Sequence, residues 1–208
     1  ASVGSNIRPL PNNVLTLSPT IYWQRNWDHY QWKRGMTGGN KGENYHRTDV
    51  YGGALNTVVN WALGKTALGV DLRKELIYST AYGETLPAHQ WKTIHGSDRM
   101  YERRGERTNT SLFLEHNVVL QHFTLSAGLL ANHNTWLSGG LHFYPGVDLA
   151  WRPNAQWKVF ASWNKALRLP TYTDLYISNR AQMGDQNLNP ERINTYKLGA
   201  RYRTTALQ

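Results

Sequence analysis

The stretch Leu68-Gly69-Val70-Asp71-Leu72-Arg73-Lys74-Glu75-Leu76-Ile77-Tyr78 decides the fold. Successive side chains of a strand point to opposite faces, so Leu68, Val70, Leu72, Leu76 and Tyr78 share one face and Asp71, Arg73 and Glu75 the other. A soluble core does not accommodate such a charged face, whereas a membrane β-barrel is apolar outside and polar inside. The arrangement repeats where Leu141, Phe143, Val147, Leu149 and Trp151 oppose His142, Tyr144, Asp148 and Arg152, and where Tyr196, Leu198, Ala200 and Tyr202 oppose Thr195, Lys197, Arg201 and Arg203. Lys74 and His116 break the rule on the apolar face. A lipid-facing Lys at mid-strand costs roughly 2 to 4 kcal/mol, so either the register shifts at Lys74 or its stem snorkels.

Outward from this stretch, two-residue alternation predicts eight strands, at 14–27, 45–61, 66–84, 107–120, 123–134, 141–152, 157–167 and 193–203. Tight links fall at Leu63-Gly64-Lys65, Gln121-His122 and Pro153-Asn154-Ala155-Gln156, and long polar stretches at 28–44, 85–106 and 168–192, with a shorter link near 135–140. Short turns on one rim and long loops on the other are the pattern of an antiparallel transmembrane β-barrel. Aromatic residues on the apolar faces form two groups: Trp61, Trp151, Trp157 and Tyr202 beside the short turns, Trp23, Tyr78, Phe143 and Trp163 near the long loops. Such groups match the two interfacial girdles of a membrane barrel, where a soluble β-sandwich has only core tryptophans.

Composition narrows the classes. The chain has 208 residues, 40% hydrophobic and 18% charged, a net charge of +9, and no Cys. Disulfide scaffolds, thiolate metal sites and cysteine nucleophiles are therefore excluded. No apolar run reaches the roughly 18 residues of a membrane helix, and Ala1 to Pro11 lacks the features of a secretory signal.

The run Phe160-Ala161-Ser162-Trp163-Asn164-Lys165-Ala166-Leu167-Arg168-Leu169-Pro170-Thr171-Tyr172-Thr173-Asp174-Leu175-Tyr176 resembles the strand-to-loop signature of TonB-dependent outer-membrane receptors. Asn187-Leu188-Asn189-Pro190-Glu191 and then Thr195-Tyr196-Lys197-Leu198-Gly199-Ala200-Arg201-Tyr202 follow at the expected distance and are similar to the family's Asn-Pro-x-Leu, Pro-Glu and Tyr-x-x-Gly sequence. Arg168, Pro170, Asn189, Pro190 and Glu191 carry the motif. Physically they are expected to shape the loop: Pro170 stops ladder pairing, Asp174 caps turn amides, and Pro190 restarts an extended path.

The resemblance implies a receptor of the Gram-negative outer membrane that imports a scarce nutrient with energy from TonB and its inner-membrane energising complex. It implies a 22-stranded, plugged barrel, so residues 1–208 are read as an internal fragment of about eight strands, with the plug domain and the TonB-contacting segment absent. Asp71, Arg73, Glu75 and Glu115 are expected to face the lumen, and the apolar face outer-membrane lipid. A ferric siderophore or a cobalamin-like corrinoid is the expected ligand. Haem ranks lower, because haem receptors of the family usually carry a His where Thr171 to Gln186 has none, although His89 and His95 in another loop are available. Trp27, Tyr30, Trp32, Arg34, Trp91, Tyr101, Arg103 and Arg104 are candidate contacts, since cationic and aromatic side chains suit an anionic chelate. The same residues equally suit loops bordering an anionic membrane surface.

Two other classes compete. A closed eight-stranded barrel is a complete object, so a small outer-membrane protein or barrel enzyme is the first alternative; no nucleophile, base and acid stand at recognisable spacing, so no catalysis is expected. The +9 charge with interleaved aromatics suggests a nucleic-acid-binding β-domain as the second, but the basic residues are scattered over strands and loops, and no nucleic-acid partner is expected. No cofactor is expected. No His pair stands at a metal-ligand spacing, and no metal site is expected.

Overall fold

The computed structural model describes residues 1–31, 42–137, 140–179 and 181–204. In chain order the strands are β1 (Ser2–Gly4), β2 (Leu15–Gln31), β3 (Glu43–Trp61), β4 (Gly64–Ser79), β5 (Glu84–Thr85), β6 (Lys92–Thr93), β7 (Met100–Tyr101), β8 (Arg103–Val119), β9 (Phe123–Asn134), β10 (His142–Trp151), β11 (Trp157–Arg168) and β12 (Glu191–Tyr202), with one helix, α1 (Tyr172–Tyr176). The long strands form an open antiparallel meander in the order β1-β2-β3-β4-β8-β9-β10-β11-β12. All eight expected strands are present; β1 adds a ninth member by pairing Ser2 with Tyr22 and Gly4 with Thr20, and β5 a tenth by pairing with the start of β8.

The rims are sorted as expected. The β3–β4 turn is tight because Gly64 holds φ at +131°, and a Cβ there runs into the carbonyl of Asn117 on β8. The other rim carries the long connections, including 80–102 and 169–190.

Register extends the two faces across the sheet. Opposite Val70 stand Leu55 and Leu112, and opposite Leu68 stand Thr57 and Leu114. Leu55, Leu68, Val70, Leu72, Leu112 and Leu114 are all exposed, as are Phe143, Leu149, Tyr196 and Leu198 further along. The opposite face holds Glu75 buried and Asp71 and Arg73 half-buried among polar partners, the inverse of a water-soluble sheet. On this polar face aromatic rings fold across onto glycines of the neighbouring strand. Tyr22 covers Gly52, Phe113 covers Gly69 and Phe160 covers Gly199, and at each glycine an added Cβ lies inside the ring's contact distance.

Two expectations need correction. Tyr78 does not join the aromatic group at the long-loop rim: loop 80–102 folds over it and leaves it 8% exposed beside Ile94 and Tyr101. The strand expected over 66–84 ends at Ser79, because the Ser79 hydroxyl accepts from the amides of Ala81 and Tyr82 and turns the chain. At Lys74 the register does not shift. It pairs with Tyr51 and Thr108, and its Nζ reaches Glu106 at 3.5 Å. His116 bonds Thr66 at 2.9 Å and packs against Trp61 beside the short turns.

Candidate functional site

A polar ladder runs over the charged face. Asp71 accepts from Tyr22 Oη at 3.2 Å, joining β4 to β2. Glu75 is bridged by Arg73 at 2.9 Å and by Arg107 at 2.5 Å, and Arg107 also donates to the carbonyl of Pro170 at 2.7 Å. Asn132 donates to Asn109 and to Ser111, both at 3.0 Å, while Glu115 accepts from Asn117 and Ser126. Asp71, Arg73, Glu75 and Glu115 thus share one face and are satisfied mainly by one another's neighbours.

Loop 169–190 lies against this face through Arg107. Its guanidinium sits 5.2 Å from the ring centres of both Trp136 and Tyr172, and those rings meet edge to face at 4.9 Å. Tyr172 also packs over Gly105, and burial pushes its hydroxyl pKa upward. Local chemistry fixes the turn: Thr171 and Asp174 form a reciprocal capping box that starts α1. The amide and hydroxyl of Thr171, with Arg168 nearby, hold the Asp174 carboxyl below the usual carboxylate range. Arg168 spans Glu191 at 2.7 Å and Asp174 at 3.3 Å, tying the end of β11 to the start of β12. Between α1 and β12 opens a groove of about 530 Å³, lined by Arg168, Asp174, Gln182, Met183, Asn189 and Glu191.

Loop 80–102 closes on the other face. Tyr78, Ile94 and Tyr101 form a buried cluster with Tyr45, Leu76 and Leu86 packed around it. Cations surround the Tyr78 ring, Lys92 at 4.2 Å, Arg47 at 4.8 Å and Arg104 at 6.0 Å from its centre.

The candidate contact residues do not converge on one pocket. Trp27 is 66% exposed on the apolar-face side of β2, beneath Arg25. Tyr30 lies at the rim on the opposite side, exposed. Trp91 donates its indole N–H to the Leu86 carbonyl, and Tyr101 is only 4% exposed inside its cluster. Arg103 donates to Gly83 O, and Arg104 pairs with Glu106. Trp32 and Arg34 lie outside the described residues. Of the motif residues, Arg168, Pro170, Asn189 and Glu191 line the groove; Pro190 immediately precedes β12. Among the described residues no group of three His, Asp or Glu side chains is placed to hold a metal ion.

Arg107, Trp136 and Tyr172 were not singled out by sequence reasoning. Parity on β8 places Arg107 with Glu115, and the hairpin register sets it opposite Glu75, so a charge pair was readable once the register was known.

The family model described as TonB dependent receptor-like, beta-barrel matches residues 2–208. No curated protein matches the chain by sequence. Among solved structures, the FrpB iron transporter from Neisseria meningitidis (F3-3 variant) aligns with a TM-score of 0.67 at 18% identity, over 98% of this chain and 33% of that one. The siderophore receptor PirA from Pseudomonas aeruginosa gives 0.66 at 14% identity, over 98% and 35%. A G324V mutant of the ferric enterobactin receptor PfeA from the same species gives 0.60 at 17%, over 92% and 30%. The chain spans about a third of the length of these solved proteins.

Proposed function

The chain belongs to the TonB-dependent receptor β-barrel family, and on that premise we propose that it forms part of the wall and loop surface of an outer-membrane receptor. That receptor binds a ferric siderophore outside the cell and admits it with energy from TonB and its inner-membrane complex, without catalysis. The observation that carries this reading is the inverted sheet: exposed Leu68, Val70 and Leu72 on one face, and the hydrogen-bonded ladder of Asp71, Arg73 and Glu75 on the other. Lipid covers the first face and the second faces the lumen, where a plug supplied by another part of the receptor contacts the ladder.

A ferric chelate is favoured over a corrinoid because the solved neighbours are named for iron, siderophore and ferric enterobactin. Haem is disfavoured by the lack of His from Thr171 to Gln186. The groove beside Arg168 and the rim residues Tyr30 and Arg103 are the proposed contact surface. The test is uptake by the intact receptor in a host stripped of its own ferric-chelate receptors, comparing labelled ferric siderophore, haem and cobalamin with and without TonB. Siderophore uptake that requires TonB is the expected result. Uptake of cobalamin or haem alone transfers the receptor to that ligand, and recovery outside the outer membrane overturns the reading.

A further inference from the structure

A row of the polar face near the long-loop rim holds a histidine in a setting that accepts only one of its charge states. Register sets Asp28, His46, Ser79 and Arg103 side by side on β2, β3, β4 and β8. His46 stands beyond Tyr51, the exposed ring on the apolar face of β3, by about 17 Å along the strand. Arg47 and Asp49 intervene, which puts His46 outside the membrane-spanning part of the strand. The histidine is 8% exposed and Ser79 fully buried. Its ring stacks on Tyr82, with centres 4.6 Å apart and planes at 12°, and its Nδ1 lies 2.8 Å from the Ser79 hydroxyl.

Proton bookkeeping fixes the direction of that bond. A serine hydroxyl has one hydrogen and two lone pairs. Ser79 Oγ accepts from the amides of Ala81 at 2.8 Å and Tyr82 at 2.7 Å, which uses both lone pairs. It therefore donates to His46 Nδ1, and that nitrogen carries no proton. An imidazolium sets an N–H against an O–H with no lone pair left to take it, in a site where a polar group without a partner is costly. Few charges face the ring. Asp28 stands opposite on β2, Arg103 on β8 is tied to the Gly83 carbonyl at 3.1 Å, and the loop contributes Tyr82. The next row, Asn26, Thr48, Ile77 and Gly105, has no charge, and Tyr172 of α1 lies over Gly105. Burial pushes the His46 imidazole below its ordinary pKa, and Asp28 opposes that shift.

We propose that His46 is a proton-operated latch on the root of loop 80–102. Neutral, it takes the Ser79 hydroxyl, while Ser79 pins the amides of Ala81 and Tyr82 and the Tyr82 ring lies on the imidazole. Protonated, it gives up both Ser79 and the stack and turns to Asp28, so the turn at Ala81 and Tyr82 loses its support. Thr80 stays paired with Tyr45 through backbone and hydroxyl, and Tyr78, Ile94 and Tyr101 remain packed together, so the loosening is confined to the root. The open state takes up the proton. The latch is therefore complete above the ordinary imidazole value of about 6.5 and weakens as pH falls from there through the lower value. Its physiological direction rests on the outer-membrane reading above: acid outside the cell loosens the mouth of the receptor.

The test is hydrogen exchange of the intact receptor in non-ionic detergent from neutrality to about pH 4.5, corrected for intrinsic rate, with heat-modifiable gel mobility checking the fold at each pH. A peptide spanning 80–84 is expected to exchange faster as pH falls below about 6.5, by up to about tenfold per pH unit, the limit for one proton. Residues 169–190 are expected to stay flat over the same step. His46→Gln offers Ser79 an amide oxygen at every pH and is expected to abolish the step. Asp28→Asn alters an exposed residue and removes the carboxylate that receives the charged ring. It is expected to move the step to lower pH, and it keeps the test open if His46→Gln does not fold. A flat profile in the parent receptor, a step that survives His46→Gln, or an unmoved midpoint in Asp28→Asn overturns the latch, and each leaves the transport reading standing. Uptake that does not need TonB removes the transport reading instead and leaves a pH step at 80–84 in place.

Discussion

Residues 80–102 and residues 169–190 cap the same rim, yet the first buries Tyr78, Ile94 and Tyr101 on the apolar-face side while the second hangs from Arg107 on the polar side. Loop 80–102 is held by burial of large rings, with cations laid over them. Loop 169–190 is held by a chain of charge, Glu75 to Arg107 to the Pro170 carbonyl, with a capped helical turn behind it. Burial is non-directional and distributes its stabilisation over many atoms; a charge network concentrates it in a few groups whose loss strands a partner. The two loops are therefore expected to respond to different perturbations.

The sharpest way to break this comparison is Tyr101→Ala. Removing a 4% exposed ring is expected to lower the opening free energy of 80–102 by roughly 3 to 5 kcal/mol, read as faster hydrogen exchange there in the intact receptor, with 169–190 unchanged. Matching acceleration in both loops shows that they open together and removes the distinction. Arg107→Met is next, at about 2 to 3 kcal/mol; it stays below the cost of fully stranding a buried charge because Arg73 still pairs with Glu75. It should accelerate exchange in 169–190 only, and an unaltered rate there means that Trp136 and Tyr172 hold the loop without the charge.

Thr171→Ala removes half of the capping box and should cost about 1 kcal/mol, again confined to 169–190. The smallest effect is that of pH. Asp174 has a depressed pKa, so its contribution is complete above the ordinary carboxylate value and is lost as pH falls through the lower one. Exchange in 169–190, corrected for intrinsic rate, should stay flat from neutrality down to about pH 4 and rise only below it. A rise beginning near pH 6 points to a different titrating group.

The strands were legible because alternation is a local signal: 123–134 was placed to the residue, and the other long strands differ at their ends by a few positions. β1 was missed since Ser2–Gly4 is too short to show a period, and its pairing is fixed only by the partner β2. Loop placement was not legible. Tyr78 has the parity of an interfacial ring, and only the path of residues 80–102 reveals that it is covered. Lys74 looked anomalous for the same reason: its partner Glu106 lies on another strand, one row up, in a register the sequence does not display. The turn after β11 has a local signal in the sequence. Arg168, Pro170 and Glu191 carry a local signature, and Asp174 was expected as a cap. Arg107 acts across a long sequence separation and carries none.

The rings of Tyr22, Phe113 and Phe160, lying over Gly52, Gly69 and Gly199, bear on the thickness of the polar face. A ring standing upright on this face would project several ångströms from it; folded onto a neighbour without a side chain, it adds almost nothing to the thickness of the sheet. Close approach of these strand faces is thus bound to glycine, and a single methyl at any of the three would lift its ring off the neighbouring strand.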